Sequence, residues 1–146
     1  MTASLSRWFL LLLVLLLSAC TNIAPFSQVA YEKAVALKVD ALALMDKATE
    51  PYEAHQTEVA ELHHQMEIAY EYAKGRPQNE ESTAQWALLM DPTRNLLGGF
   101  ITRWKAQGRL SRLMIDEAKR QIGAAFDTII QLESGKRKAG GVQQGG

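Results

Sequence analysis

The sequence predicts an all-α fold, a small bundle of four to five helices. Three observations carry that reading. Tyr52, His55, Val59, Leu62, Met66, Ala69 and Ala73 recur at alternating spacings of three and four, which draws one apolar seam along one helix. Ile115, Ala118, Ile122, Ala125, Phe126, Ile129 and Leu132 make a second such face nearer the C-terminus. Helix start and stop signals punctuate the chain before and between them, at Thr49-Glu50-Pro51, Gly75-Arg76-Pro77 and Asp91-Pro92.

A different kind of segment precedes the bundle. Arg7 leads into an apolar run, Trp8 to Leu17, then Ser18, Ala19 and the only cysteine, Cys20. The run is about half the roughly 20 residues that a spanning helix needs, so residues 1–19 read as a cleaved signal peptide. Leu17-Ser18-Ala19-Cys20 closely resembles the lipobox of bacterial lipoproteins. That resemblance implies cleavage before Cys20 and lipidation of its sulfur by a diacylglycerol carrying palmitate-type chains. Each buried methylene is worth about 0.8 kcal/mol, so several chains would anchor the protein stably in the lipid bilayer. By the sorting rule of that family, Thr21 rather than Asp after the cysteine directs the protein to the outer membrane of the cell envelope, facing the periplasm.

Without residues 1–19, about 127 residues remain, enough for one domain and one core. With Cys20 acylated, no disulfide within the chain is possible, so burial must hold the fold. Charge divides unevenly: Cys20 to Asp91 carries twelve acids and five bases, and Pro92 onward carries ten bases and four acids. The halves, near −7 and +6, can pair with each other on folding. Nucleic acid is not an expected partner in a periplasmic location.

Residues 20–26 form a lipid-anchored tether containing Pro25, in which Thr21 to Phe26 reach at most about 20 Å. The helical domain is expected over 27–134. Ser27 caps a first helix to about Lys47, with Val35, Val39, Leu42 and Met45 as its apolar positions. A break at Thr49-Glu50-Pro51 leads into the second helix, about Glu50 to Lys74, which Gly75 caps and Pro77 ends. Asn79 or Ser82 caps a short third helix to about Met90. Asp91-Pro92 starts an irregular fourth one ending near Gly108, in which Gly98-Gly99 either break the helix or let another backbone approach closely. Ser111 caps the last helix, to about Glu133. Residues 135–146, rich in Gly, Gln, Lys and Arg, lack the apolar surface to repay ordering and read as a disordered tail.

The chemistry-bearing residues give little support to a reaction. His55, His63, His64 and Met66 are the one cluster that suggests metal, and His63 and Met66, three apart, could share a helix face with copper. His55 lies about 12 Å along the helix from His63, and no zinc or haem motif occurs, so neither a metal nor a cofactor is expected. Of the acids that could pair for hydrolysis, Asp91, Asp116, Glu117 and Asp127, the first reads as a cap and the next two as first-turn residues, and no sugar-binding cleft, nucleophile motif or phosphate-loop motif is indicated, so the protein is not read as an enzyme. Aromatic residues at helical spacing beside Leu and Ile read as core. The aromatic segment around Gly98-Gly99 is nonetheless the best place for an exposed apolar patch, which makes Phe100 and Trp104 the candidate binding residues.

Function is therefore expected in protein interaction: an envelope accessory or assembly factor with an envelope protein as its partner. In size, anchoring and helical character the chain is similar to pilotins, the small lipoproteins that escort secretion channels. Two alternatives are a periplasmic carrier of metal or a small ligand through His63 and Met66, and a phage- or plasmid-borne surface-exclusion lipoprotein.

Overall fold

The computed structural model describes residues 23–141, with side chains through Lys136. Cys20, the lipobox and the apolar run lie outside the described residues. The helices are α1 (Gln28–Asp46), α2 (Gln56–Lys74), α3 (Glu80–Met90), α4 (Leu97–Gln107) and α5 (Arg112–Gly141). Two short 3-10 turns, Lys47–Thr49 and Tyr52–His55, separate α1 from α2. No strand occurs among the described residues, and none of their helices is long and apolar enough to cross a membrane.

α1 packs against α2 and α5, and α3 packs against the same two, so these four close a ring around one core. α4 is inserted in the last connection and lies on α3 and the Tyr52–His55 turn. The start of α1, the α2–α3 turn and the end of α5 share the near end of the bundle, where the tether enters. The 3-10 turns, α4 and the start of α5 make the far end.

Start signals read from sequence act as expected at two helices. The Ser27 hydroxyl accepts the Ala30 amide at 3.2 Å, and the Ser111 hydroxyl accepts that of Met114 at 3.3 Å. The α2 seam is internal as well: Val59, Leu62, Met66, Ala69 and Ala73 are all buried.

On α1 the face differs in part from the expected one: Met45 is buried and Leu42 packs against the core, but the two valines lie outside it. Ala34, Leu37, Ala41, Leu44 and Ala48 are buried at spacings of three and four, whereas Val39 is 61% exposed and Val35 37%. Small alanines alternating with leucines let α1 approach its neighbours closely, and the β-branched valines, with no room in that seam, fall outside it.

The fourth helix starts later than Asp91-Pro92. Asp91 accepts the Thr93 amide at 2.8 Å and the Thr93 hydroxyl at 2.7 Å, closing a local turn instead of capping a helix. α4 then begins at Leu97, so Gly98-Gly99 occupy its first turn. A Cβ on Gly98 would overlap the Met90 carbonyl and one on Gly99 the Arg94 carbonyl, so close backbone approach is the reason for both glycines.

α5 continues past Glu133 to Gly141. The boundary expected at 135 therefore moves outward: Gly135 and Lys136 are helical, Lys136 is buried, and residues 142–146 lie outside the described residues.

The charge asymmetry is used internally at the end of α1, where Asp46 meets Arg112 at 3.1 Å and Lys119 at 2.6 Å on α5. Lys38 meets Asp127 at 2.5 Å further along the same pair of helices, with the signs reversed. Such partly exposed pairs are worth about 0–1 kcal/mol each. They fix the antiparallel register of α1 and α5 more than they stabilise it.

Candidate functional site

The break at Thr49-Glu50-Pro51 leaves backbone groups without helical partners, and the α4 segment supplies them. The Ala48 carbonyl accepts the Leu110 amide at 2.8 Å, and the Tyr52 amide donates to the Gly108 carbonyl at 2.8 Å. Gly108 closes α4 in a left-handed conformation, φ +77°, which a side chain would resist. The Trp104 indole donates to the Glu50 carbonyl at 3.0 Å.

Trp104 is wholly buried and Phe100 is 5% exposed. Both were candidate binding residues on an exposed patch, and the structure places both in the core. Tyr52 meets Trp104 edge-on with ring centroids 5.5 Å apart, and Phe100 lies 6.5 Å from it. Because α4 closes the end of the four-helix ring, its aromatic face has to turn inward. Phe100 keeps only an edge at the surface.

That edge lines a groove of about 360 Å³ between α4 and α5. Leu96, Leu113, Met114 and Ala118 supply its other apolar atoms, and Asn95, Arg103, Glu117 and Gln121 its polar ones. Leu113 is 80% exposed, more than any other large apolar residue described. Sequence reasoning missed it because the Ile115–Ile122–Ile129 face dominates the helical pattern of α5. The available signal was a leucine on the opposite, polar side of an amphipathic helix.

His55, 10% exposed at its side chain, sits at the same end between two carboxylates. Its Nδ1 lies 2.7 Å from Glu58 and its Nε2 2.8 Å from Glu50, and its ring lies 5.7 Å from Trp104. Both nitrogens can donate at once only in the imidazolium. The hydrogen bonds to Glu58 and then Glu50 raise its pKa above the ordinary 6.5, against the effect of burial. Hydrogen bonds from Lys47 and His55 hold Glu58 below its ordinary 4.5.

The metal-suggesting residues are not brought together. Met66 is buried in the core. His63 lies at the surface, 3.6 Å from Glu67, beside His64 in an open groove between α2 and α4 that also holds Lys105. His63 and Met66, expected to share a face, are neighbours on α2, but the edge of the core falls between them, so Met66 is buried while His63 is exposed. Nor do the acids of α5 converge: Asp127 pairs with Lys38 and Glu117 with Arg120.

At the near end, polar groups close inward. Glu133, 1% exposed, accepts from Arg76 at 3.0 Å and from Lys136 at 2.7 Å. Lys136 also donates to Ser82 at 2.9 Å and to Asn79. Asn79 and Ser82, the two expected caps of α3, thus serve this cluster, and Asn79 further donates to the Ala73 carbonyl at 2.8 Å. Burial pushes the Glu133 carboxyl up, but hydrogen bonds from Lys136, Ser82 and Arg76 outweigh it and hold its pKa below 4.5.

The tether docks on this cluster. Arg76 donates to the Pro25 carbonyl. The Ala24 amide donates to the carbonyl of Gln78 at 2.8 Å, and Gln78 is the one non-glycine residue described with positive φ, 57°. Ala24 is 1% exposed.

Compared with protein-family models, curated proteins and solved structures, the chain matches none.

Proposed function

We propose that this protein is a bacterial envelope lipoprotein, acylated on Cys20 and held on the periplasm-facing side of the outer membrane, where it acts by binding another envelope protein. The observation that carries this reading is Leu17-Ser18-Ala19-Cys20 placed directly after a short apolar run. The docked tether supports it. Ala24 is fixed to the near end of the bundle, and the four residues from Cys20 to Ala24 reach at most about 14 Å. An acylated Cys20 would hold the near end against the headgroups and leave the far end, with its exposed leucine, turned toward partners.

Labelling in cells with a palmitate analogue tests the anchor. Incorporation that disappears in Cys20→Ser, with loss of the protein from the membrane fraction, is the expected result. Equal labelling and equal fractionation of the variant would overturn it. Crosslinking of the intact lipoprotein in cells tests the second half: recovery of a defined envelope protein is expected, and a protein that turns over or tightly binds a small molecule while crosslinking to none would refute it.

A further inference from the structure

We infer that the groove between α4 and α5 docks an acidic amphipathic helix of the partner protein. The inference rests on the interaction reading above and names the surface and the chemistry of what it takes. The floor is apolar, made by Leu96, Met114 and the edge of Phe100, and Leu113 stands 80% exposed beside it. Leu113, Glu117 and Gln121 mark successive turns of α5, so the groove runs about 12 Å, two helical turns. An amphipathic helix meets such a floor with apolar residues at i, i+3 or i+4, and i+7.

Charge selects the sign of the occupant. From Pro92 to Arg120 the chain carries seven bases and only Asp116 and Glu117 as acids. Arg94, Arg112, Lys119 and Arg120 already pair with carboxylates of this chain. Arg103 on the groove wall contacts the Asn95 side-chain oxygen at 3.3 Å and has no carboxylate partner among the described residues, whereas Glu117, the one acid lining the groove, already pairs with Arg120. An acidic rim on the incoming helix would complement Arg103 and the excess of bases in this stretch and steer its approach. Position favours a protein over lipid: about 18 Å of helix separates Gln121 from Glu133 at the end where the tether docks. The groove between α1 and α2 is of opposite sign, lined by Asp40, Glu58 and Glu61, so a second copy of this chain is the competing occupant.

The test is photo-crosslinking of the full-length lipoprotein in cells, with the reactive residue at Leu113 or, in a separate strain, at Val39, the next most exposed large apolar residue described, followed by mapping of the crosslinked peptides. The expected result is one acidic segment of another protein, with apolar residues at helical spacing, captured from Leu113 and absent from Val39. Arg103→Glu should lower that yield roughly tenfold without changing the circular dichroism of the protein. Capture of a second copy, of lipid or of a basic segment, no capture at Leu113, or indifference to Arg103→Glu would each overturn the proposal. Capture of an envelope protein from Val39 alone would remove this groove while leaving the interaction reading in place, whereas silence at both positions would count against both. Purified full-length protein in detergent micelles gives an independent measurement. A fluorescent peptide of about 14 residues with leucines at helical spacing and glutamates elsewhere should bind at least tenfold more tightly than its lysine counterpart; equal binding would overturn the assignment of sign.

Discussion

Glu133 at the near end is 1% exposed, and every charge around it is answered by a side chain of this protein. At the far end the arrangement is reversed: Trp104 is the residue wholly buried, while Leu113 and the cations of α4 lie outside. Both ends close the same four-helix ring, but the near end does so with an ion cluster and the far end with an aromatic lid. The difference shows where the molecule has surface to spare. A buried carboxylate between two cations leaves little for a partner to add, whereas an inserted helix that turns its rings inward leaves a seam between itself and α5. The near-end cluster is also weak evidence for stability, because desolvation of its charges offsets much of their attraction. Its direct effect is positional: it joins α2, α3, α5 and the tether at one point.

The largest effect expected is at the lid. Trp104→Ala should cost about 3–5 kcal/mol, since it removes a fully buried ring and the donor to the Glu50 carbonyl. Chemical denaturation of the detergent-solubilised protein, followed by circular dichroism, measures it. A loss below about 1 kcal/mol would mean that α4 does not close the core.

Glu133→Ala should cost a comparable or slightly smaller amount, about 3–5 kcal/mol, by leaving Lys136 and Arg76 unpaired in a buried site. Replacing Glu133 and Lys136 together by methionine should recover most of that loss. If the double variant were as unstable as the single one, the cluster would stabilise the near end outright and the contrast drawn above would fail.

Acid and alkali separate the ends further. The His55 pKa is raised, so its contribution is complete below 6.5 and is lost as pH rises through its folded value. The Glu133 and Glu58 pKa values are lowered, so their contributions are present above 4.5 and are lost as pH falls through the folded values. Acid should therefore weaken both ends and mild alkali only the far one. Titration of His55 by NMR, together with melting curves between pH 6 and 9, checks this. In His55→Gln the alkaline slope should flatten, and an unchanged slope would contradict the assignment.

The smallest expected effects are Leu113→Ser and Glu61→Ala, each within about 0.5 kcal/mol of the parent because both positions are exposed. A larger loss in Leu113→Ser would make that leucine part of the core and not of a docking surface.

The sequence made α2 and the inner face of α5 legible because their buried positions are filled by Val, Leu, Ile, Met and Phe, whose spacing stands out. On α1 the same spacing was carried by alanines, which composition alone does not distinguish from neutral surface. The course of α5 beyond Glu133 was hidden for another reason. Lys136 reads as a solvated charge until Ser82 and Asn79 are known to meet it, and those contacts reach across 54 and 57 residues. Phe100 and Trp104 were recognisable as an important aromatic segment, but whether such a segment faces in or out depends on what α4 covers. Asn79 does stand at the N-cap of α3, where its carbonyl accepts the Thr83 amide, but its side chain and that of Ser82 go to Lys136, a distant partner that local pattern does not show.

The central claim is one of orientation: an anchored near end and a presented far end. It is tested most directly by energy transfer from a fluorophore placed at Gln78 or, separately, at Gln107 to an acceptor-labelled headgroup, with the lipidated protein in nanodiscs. α2 alone, 19 residues, separates the two ends by about 28 Å. Efficient transfer from Gln78 and weak transfer from Gln107, with both lost in Cys20→Ser, is the predicted result. Equal transfer from the two positions, stronger transfer from Gln107, or transfer that survives Cys20→Ser would contradict the account.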